Sequence, residues 1–313
     1  MTVMHATVHV PGSTSNLGGG FDCVGMAVDR WLTATVVIDE SKIGVTMSRA
    51  GSLASLTCDA ADDLLHTGFH AACTRAGRAL PAHMAFDVTS TIPVARGLGS
   101  SAAALVAGAA LADAALSLGL GTHVIATLAS QIEGHPDNAS PAAFGGPMLG
   151  VARDDATAFA PCTYTFSPLT VHATLAFIFA VPPMEVTTAA ARAVLPAHVS
   201  FGDAVSAVQR SAALVHGLAT GDADLLARAL DDVLHVPYRR QLVPGYDSIV
   251  LAACAAGAFG ATLSGSGSAM LAIGRPEQTG EIAHAMQVAF ANVGLTAETL
   301  VTDGAVGGLW TEP

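Results

Sequence analysis

One stretch of the sequence restricts the fold more than any other, namely residues 93–103 (PVARGLGSSAA). It lies between a strand-like run at 84–89 and an alanine-rich, helix-like segment that reaches about Leu118. Glycine lets a backbone pass close to a bulky ligand, and the free amides at a helix N-terminus attract anions. The pattern therefore predicts a strand–loop–helix unit that binds a phosphate. It is not the P-loop pattern, because no Gly-Lys-Ser/Thr follows, and taken alone it fits a serine-capped glycine turn equally well.

Length and charge limit the classes of partner. The 313 residues suit two domains, or one large domain with a deep cleft, and 51% of them are hydrophobic, enough for a sizeable core. The net charge of −12 argues against nucleic acid as a partner, because a phosphate backbone needs a basic surface. A small anionic substrate, held by a few arginines and backbone amides, stays compatible with this charge.

Cysteine usage and the N-terminus predict a soluble cytoplasmic protein. The five cysteines are odd in number and form no Cys-x-x-Cys pair, which favours buried thiols over disulfides or a zinc site. No basic region followed by an apolar stretch begins the chain, so no signal peptide is predicted. Residues 101–120 are apolar, but they are mostly small, include Asp113 and lack basic flanks. They predict a buried core helix with no membrane contact.

Two further loops rich in glycine and serine lie far from the first in sequence. Residues 13–22 (STSNLGGGFD) follow a strand predicted over 3–10 that ends at Pro11-Gly12, and residues 264–268 (SGSGS) separate two predicted strands. Backbone amides are free at the ends of such elements. Three such loops predict one shared site in an α+β chain. The hydrophobic pattern weakens over 154–167, and we place a domain boundary between residues 160 and 161.

The three loops, in this order, resemble the three motifs of the GHMP small-molecule kinases. The motifs are VPG…NLG…GFD at 10–22, the phosphate-binding stretch at 93–103, and G…LSGSG at 260–267, so the resemblance spans nearly the whole chain. It implies a nucleotide-binding domain of the ribosomal-protein-S5-like type over residues 1–160. A ferredoxin-like α/β sandwich over residues 161–313 would follow, with the active site in the cleft between them.

Further motifs resemble the branch of that family that phosphorylates L-homoserine. They are EGHPDN at 133–138 and the segments 182–196 and 237–245. This resemblance implies transfer from ATP, with Mg²⁺, to the homoserine hydroxyl, giving O-phospho-L-homoserine for threonine biosynthesis. A mevalonate-type GHMP kinase and a non-catalytic nucleotide- or metabolite-binding regulator remain the alternatives. The oligomeric state stays open, with a homodimer as one candidate.

The resemblance also implies which residues hold the nucleotide and the metal. Magnesium prefers hard oxygen ligands, and by resemblance Glu133 and either Ser100 or Ser101 supply them. Without the motif, Glu133 would be interpreted as a solvated carboxylate at a helix end. The implied phosphate contacts are Pro93, Arg96, Gly97, Leu98, Gly99, Ser100, Ser101, Ala102, Ser264, Gly265, Ser266 and Gly267.

Homoserine is a zwitterion with a hydroxyl group, so its site needs groups for both charges. By resemblance, Asp22 and Asn138, with Asn16 nearby, hold the amino end, and Thr188 lies near the reacting hydroxyl. Arg192 and Arg239 are the candidates for the carboxylate, since a guanidinium fork fits two oxygens. A lone arginine is more often part of a surface ion pair, but Arg239 lies in a segment bounded by prolines. The predicted catalytic set is Asn138, Thr188 and Arg192.

Asn138 also bears on the mechanism. Several GHMP kinases have an aspartate as general base in the region where this chain has Asn138, and a neutral amide cannot take a proton at neutral pH. We therefore predict transfer without a protein base, with the proton leaving to a γ-phosphate oxygen or to water. His135 is predicted to shape its loop. Asp63 stands about where relatives have an asparagine near the base or ribose, which puts the nucleotide preference in doubt.

Overall fold

Two sheets organise the chain in the computed structural model, which describes residues 3–153 and 163–312. The strands are β1 (Val3–Ser15), β2 (Val24–Asp39), β3 (Gly44–Gly51), β4 (His83–Ser90), β5 (Pro147–Arg153), β6 (Thr163–Pro168), β7 (Ala176–Val181), β8 (Gly260–Leu263), β9 (Met270–Gly274), β10 (Glu298–Thr302) and β11 (Trp310–Thr311). The helices are α1 (Leu64–Arg75), α2 (Ser100–Leu116), α3 (Gly121–Glu133), α4 (Ala139–Phe144), α5 (Thr188–Ala193), α6 (Phe201–Thr220), α7 (Ala223–Leu230), α8 (Val236–Arg239), α9 (Tyr246–Ala255) and α10 (Thr279–Ala291).

The first sheet has the order β11-β1-β2-β4-β3, and β5 joins it at β2 and continues to β6. Its only parallel pair within the described residues is β3 with β4, which α1 connects. The second sheet has the order β10-β7-β9-β8 and is antiparallel throughout. Numbered within this sheet, the order is fourth, first, third, second, which is that of a ferredoxin-like sandwich. The predicted α+β class is confirmed.

Strand β1 is longer than the sequence predicted. The expectation that it ends at Pro11-Gly12 was wrong, because the pairing with β2 shifts register between these two residues and then continues to Ser15. A bulge tolerates proline, which has no N–H to give to the ladder. A Cβ on Gly12 would lie 3.0 Å from the Leu98 carbonyl oxygen. Because the strand continues past Gly12, residues 13–15 lie directly against the loop that precedes α2. The Ser13 amide donates to the Leu98 carbonyl there at 3.1 Å.

Helix α2 forms the centre of the first core, as predicted for residues 101–120. Most of its small side chains are buried, and they allow a close approach to α1. A Cβ on Gly108 would lie 1.8 Å from the Leu65 carbonyl oxygen, so only glycine permits this crossing. No helix in the described ranges is long and apolar enough to cross a membrane.

The predicted boundary between residues 160 and 161 lies outside the described residues and stays a prediction. Strand β6 follows it in sequence and pairs with β5, and the terminal strand β11 pairs with β1. The first sheet therefore includes segments from both sides of that position. Cys23, Cys58, Cys73 and Cys254 are free thiols, and Cys162 lies outside the described residues.

Candidate active site

A cleft of about 370 Å³ brings the three motifs together. Of the residues predicted to form the site, those that line it are Asn16, Pro93, Arg96, Gly97, Leu98, Gly99, Ser100, Ser101, Glu133, Asn138, Thr188, Arg192, Arg239, Gly265 and Ser266. Asp22, Ala102, Ser264 and Gly267 do not line it. Asp22 and Ser264 nevertheless bond directly to lining residues.

Residues 264–267 of the third motif pack against one side of the predicted phosphate loop and are bonded to it. The Ser264 hydroxyl donates to the Gly97 carbonyl at 2.7 Å, and the Gly265 amide donates to the Ser15 carbonyl at 2.9 Å. A Cβ on Gly97, whose φ is 73°, would lie 1.9 Å from the Ser264 carbonyl oxygen. Glycine is therefore required there both by its conformation and by the close contact.

Helix α2 begins at the loop, and no acceptor among the described residues binds its first amides. Gly99 precedes it with a φ of 69°, and no side chain caps the helix. The first four amides of a helix have no intrahelical acceptor, and the dipole adds partial positive charge there. This end of the cleft is therefore built to take an anion.

Glu133, the last residue of α3, meets Ser101 beside this anion site. The Ser101 hydroxyl donates to Oε1 of Glu133 at 2.5 Å. Oε2 is closed to solvent and has no hydrogen-bond partner. Burial raises the pKa of Glu133, against the opposing effects of His135, Ser101 and Arg192. An orphaned carboxylate oxygen next to a hydroxyl is a donor set that fits Mg²⁺.

Asn138 is held on both sides by strand β1. Its Oδ1 accepts from the Ser13 hydroxyl at 3.0 Å, and its Nδ2 donates to the Ser15 hydroxyl at 2.9 Å. Asp137 is fully buried, does not line the cleft, and accepts from His135 Nδ1 at 2.6 Å. Burial alone would lower the pKa of His135, but this bond and the charges of Asp137 and Glu133 outweigh it and raise the pKa.

The two arginines predicted to bind a carboxylate differ in their partners. Arg192 lies one helical turn after Thr188 on α5, so both face the cleft. Its guanidinium binds Asp22 through two bonds of 3.0 and 2.8 Å. Asp22 is in turn placed by its own amide, which donates to Asn16 Oδ1 at 2.9 Å. The residues predicted for opposite ends of the zwitterion thus pair with each other.

Arg239 has no such acidic partner. Its side chain is 2% exposed, and its Nε donates to the Ala191 carbonyl at 3.0 Å. Nη1 lies 3.5 Å from the Gly265 carbonyl, and in the described part of the chain no carboxylate forms an ion pair with the guanidinium. Burial lowers its pKa, and the positive charge of Arg192 acts in the same direction. The charges of Asp22, Asp137 and Asp232 act in the opposite direction, but none of these carboxylates reaches the guanidinium. A buried cation that lines a cleft without an ion pair is suited to bind an anionic ligand.

Comparison with known proteins identifies the family. Residues 60–146 match the GHMP kinases N terminal domain, and residues 214–292 match the GHMP kinases C terminal domain. The homoserine kinase of Picosynechococcus sp. is 36% identical over 300 residues, 95% of each chain. That of Moorella thermoacetica is 38% identical over 291 residues, 92% of this chain and 93% of that one. The chain belongs to the homoserine kinase family of GHMP kinases.

Solved structures agree with this assignment. The crystal structure of homoserine kinase from Cytophaga hutchinsonii has a TM-score of 0.85 to this chain at 27% identity, covering 98% of this chain and 97% of that one. Mevalonate kinase from L. major, solved with R-mevalonate, has a TM-score of 0.68 at 16% identity, covering 93% and 94%. The latter shares the fold alone. The two-domain GHMP kinase fold that the motifs implied is confirmed.

In this homoserine kinase family member, the far end of the cleft is apolar. Met47, Leu53 and Val88 line it, beside an ion pair between Arg49 and Asp63. Oδ2 of Asp63 accepts from Arg49 at 2.8 Å, and Oδ1 caps α1 by accepting from the Leu65 amide at 2.9 Å. Both oxygens of Asp63 are therefore engaged within the protein, and Arg49 lies outside all of the sequence motifs.

Sequence reasoning also missed the two serines that hold Asn138. Ser13 and Ser15 are two positions apart, and on a strand such residues face the same side. That signal was available, but it depended on β1 continuing past Pro11-Gly12. With the strand predicted to end at Gly12, Ser13 and Ser15 were assigned to a loop, where this alternation does not apply.

The buried His235 makes the stability of this family member depend on pH. Burial lowers the pKa of His235 to about 4, although Asp232 acts in the opposite direction. The unfolded chain, with an ordinary histidine pKa of about 6.5, binds more protons between these two values, so the free energy of unfolding falls as pH drops through that window. From pH 7 to pH 5 we expect His235 to account for a loss of about 2 kcal/mol.

Urea unfolding at the two pH values measures this loss. We expect His235→Gln to lose less stability than the unaltered protein on acidification. The exposed His216 on α6 supplies the control, and His216→Gln should follow the unaltered protein. Equal losses in all three proteins would contradict the buried neutral state of His235.

Proposed function

We propose that this chain transfers the γ-phosphoryl group of ATP to the side-chain hydroxyl of L-homoserine. The observation that carries the proposal is Arg239, a buried guanidinium without an acidic partner, in the same cleft as the anion-binding loop. One cleft thus offers separate places for a triphosphate and for a carboxylate. The names of the relatives support the same reaction.

The phosphates would lie on the loop before α2 and on the free amides at its N-terminus. Glu133 would hold Mg²⁺ with Ser101, and Ser100 is the other hydroxyl at this position. When bound, the ion supplies neutralisation of the phosphate charge. The chain's own contribution is orientation, because phosphoryl transfer asks for positioning and charge stabilisation more than for covalent chemistry.

The amino acid would bind between Arg239 and Asp22, whose side chain is 32% exposed and adjoins the cleft lining through its pair with Arg192. A carboxylate has about four lone-pair sites, so Asp22 can keep Arg192 and also accept from the substrate ammonium. The substrate carboxylate would take the fork of Arg239. The substrate hydroxyl would then be surrounded by Asn138, Thr188 and Arg192. Asn16 would position Asp22, because its Oδ1 accepts from the Asp22 backbone amide.

Within this proposal no side chain acts as general base. Asn138 is a neutral amide bonded to Ser13 and Ser15, and Asp137 does not line the cleft. The hydroxyl proton would leave to a γ-phosphate oxygen or to water.

Variants at these two positions test the absence of a base. We expect Asp137→Asn to keep phosphoryl transfer within about a factor of ten, since general-base catalysis itself contributes about 10² to 10⁴. Asn138→Asp should change the pH profile of the rate by adding a titrating group in the cleft. Loss of transfer in Asp137→Asn with homoserine binding intact would contradict the proposal.

A coupled assay of ADP release tests the function as a whole. ATP and Mg²⁺ are supplied with L-homoserine, L-threonine, L-serine or mevalonate in separate reactions. We expect turnover with homoserine. Turnover with mevalonate would favour the other kinase class, and nucleotide binding without any turnover would favour a regulator.

Location and assembly belong to the same proposal. The free thiols of Cys23, Cys58, Cys73 and Cys254 suit the reducing cytoplasm. The oligomeric state stays open, with a homodimer as one candidate, and sedimentation of the purified chain would determine it.

A further inference from the structure

Both arginines of the substrate end lie against a single aromatic ring. Cζ of Arg239 is 5.1 Å from the centroid of the Phe21 ring, and Cζ of Arg192 is 5.8 Å from it. Phe21 is half-buried and does not line the cleft. It contacts both guanidinium groups at the substrate end of the cleft.

The Phe21 ring also packs against the buried imidazole of His235. Phe21 stacks on His235, with the centroids 5.0 Å apart and the planes at 18°. His235 has no exposed surface, and its Nε2 lies 3.3 Å from the Gly18 carbonyl oxygen. A low pKa keeps His235 neutral, so it adds no competing positive charge to the stack.

The turn that carries His235 also carries Arg239. Oδ2 of Asp232 accepts from the backbone amides of His235 and Val236 at 2.6 and 2.9 Å. These bonds start α8, whose last residue is Arg239. The Phe21 ring therefore packs against two side chains from the same turn, those of His235 and Arg239. Because Phe21 precedes Asp22 in sequence, it connects this turn to the loop that holds Asp22.

The ring matters most for Arg239 because that cation lacks a carboxylate. The face of an aromatic ring is negative, and it attracts a cation most strongly when both groups are shielded from water. Arg192 has Asp22 to orient it, and its contact with the ring is longer. Among the described residues, loss of the ring would leave the Arg239 guanidinium with two carbonyl contacts, one of them at 3.5 Å.

We propose that Phe21 is a positioning residue for the carboxylate clamp, acting through Arg239 and secondarily through Arg192. The inference rests on the proposed function, because it assumes that Arg239 binds the substrate carboxylate. It assigns to an aromatic side chain outside the cleft a share of the affinity for the amino-acid substrate. The nucleotide end of the cleft is independent of this contact.

Kinetics of Phe21→Leu test the role. The expected result is a rise of about tenfold in KM for homoserine, with kcat and KM for ATP within about threefold. Phe21→Tyr keeps the ring and should restore KM to within about threefold. The matched control is Phe259→Leu, which removes the other described ring that faces a guanidinium, that of Arg275 at 5.7 Å, outside the cleft.

A nearly isosteric series separates the ring's charge distribution from its packing. Phe21 is replaced by 4-fluoro-, 3,5-difluoro- and pentafluorophenylalanine, which progressively weaken the negative face while keeping the shape. We expect KM for homoserine to rise along the series and the melting temperature to change little. This series decides the question even where Phe21→Leu does not fold.

The outcomes are distinct. A flat KM along the fluorinated series, or equal losses in kcat and in affinity for ATP and homoserine in Phe21→Leu, would overturn the role of Phe21. Absence of homoserine turnover by the unaltered protein would overturn the proposed function and this inference together. Normal turnover by the unaltered protein with a flat series would overturn only the inference.

Discussion

Replacing Arg239 with methionine should lower kcat/KM for homoserine by about three orders of magnitude without destabilising the protein. Truncating one partner of a buried charge pair costs about 2 to 5 kcal/mol, and about 4 kcal/mol corresponds to a factor of a thousand. The same replacement removes a buried charge that forms no ion pair, and a hydrophobic residue of similar volume is often neutral or stabilising in such a place. Loss of function with unchanged or increased stability is the signature of a binding residue.

Steady-state kinetics and urea unfolding measure the two effects on the same samples. The neighbouring Arg240 supplies a matched control, because it is exposed and pairs with Asp247 at 3.1 Å outside the cleft. Arg240→Met should leave kcat/KM within about threefold, as expected for a surface ion pair. A strongly destabilised Arg239→Met with kcat/KM close to normal would show that Arg239 has a structural role instead.

Much of the site could be predicted from the sequence because local patterns carry it. The glycines at 97 and 99 and the serines that follow mark the loop and the start of α2. Their geometry depends on positive φ values, which glycine adopts readily, so residue types alone indicate it. The same holds for α2, which was predicted to reach about Leu118 and ends at Leu116.

Contacts between distant segments could not be predicted in this way. The Asp22–Arg192 pair joins residues 170 positions apart, and it shows that two groups assigned to opposite substrate charges neutralise each other. The Phe21–His235 stack likewise depends on how α8 packs against the first motif. No local pattern records either contact, because each is set by how segments far apart in the chain pack on one another.

Replacing Glu133 with glutamine should reduce kcat by about a thousandfold at fixed Mg²⁺, while the ligand-free protein stays as stable as before. Glutamine can still accept from the Ser101 hydroxyl through its Oε1, so the local hydrogen bond survives. What is lost is the negative charge on an orphaned, solvent-closed oxygen, and electrostatic stabilisation of this kind contributes about 3 to 4 kcal/mol. Removing a buried charge that burial already disfavours should not destabilise the fold.

Two measurements, each run against a control, decide whether Glu133 holds the metal. The Mg²⁺ concentration for half-maximal turnover should rise in Glu133→Gln, and the increase in melting temperature caused by Mg²⁺ with ATP should shrink. Glu281, on α10, is exposed and does not line the cleft, so Glu281→Gln should change neither quantity. If Glu133→Gln kept its Mg²⁺ dependence and a rate within about tenfold of normal, the orphaned oxygen would need another explanation. In that case the Ser101 hydroxyl would only donate a hydrogen bond to the Glu133 carboxylate at the end of α3. Mg²⁺ would then have to bind through the ATP phosphates and Ser100.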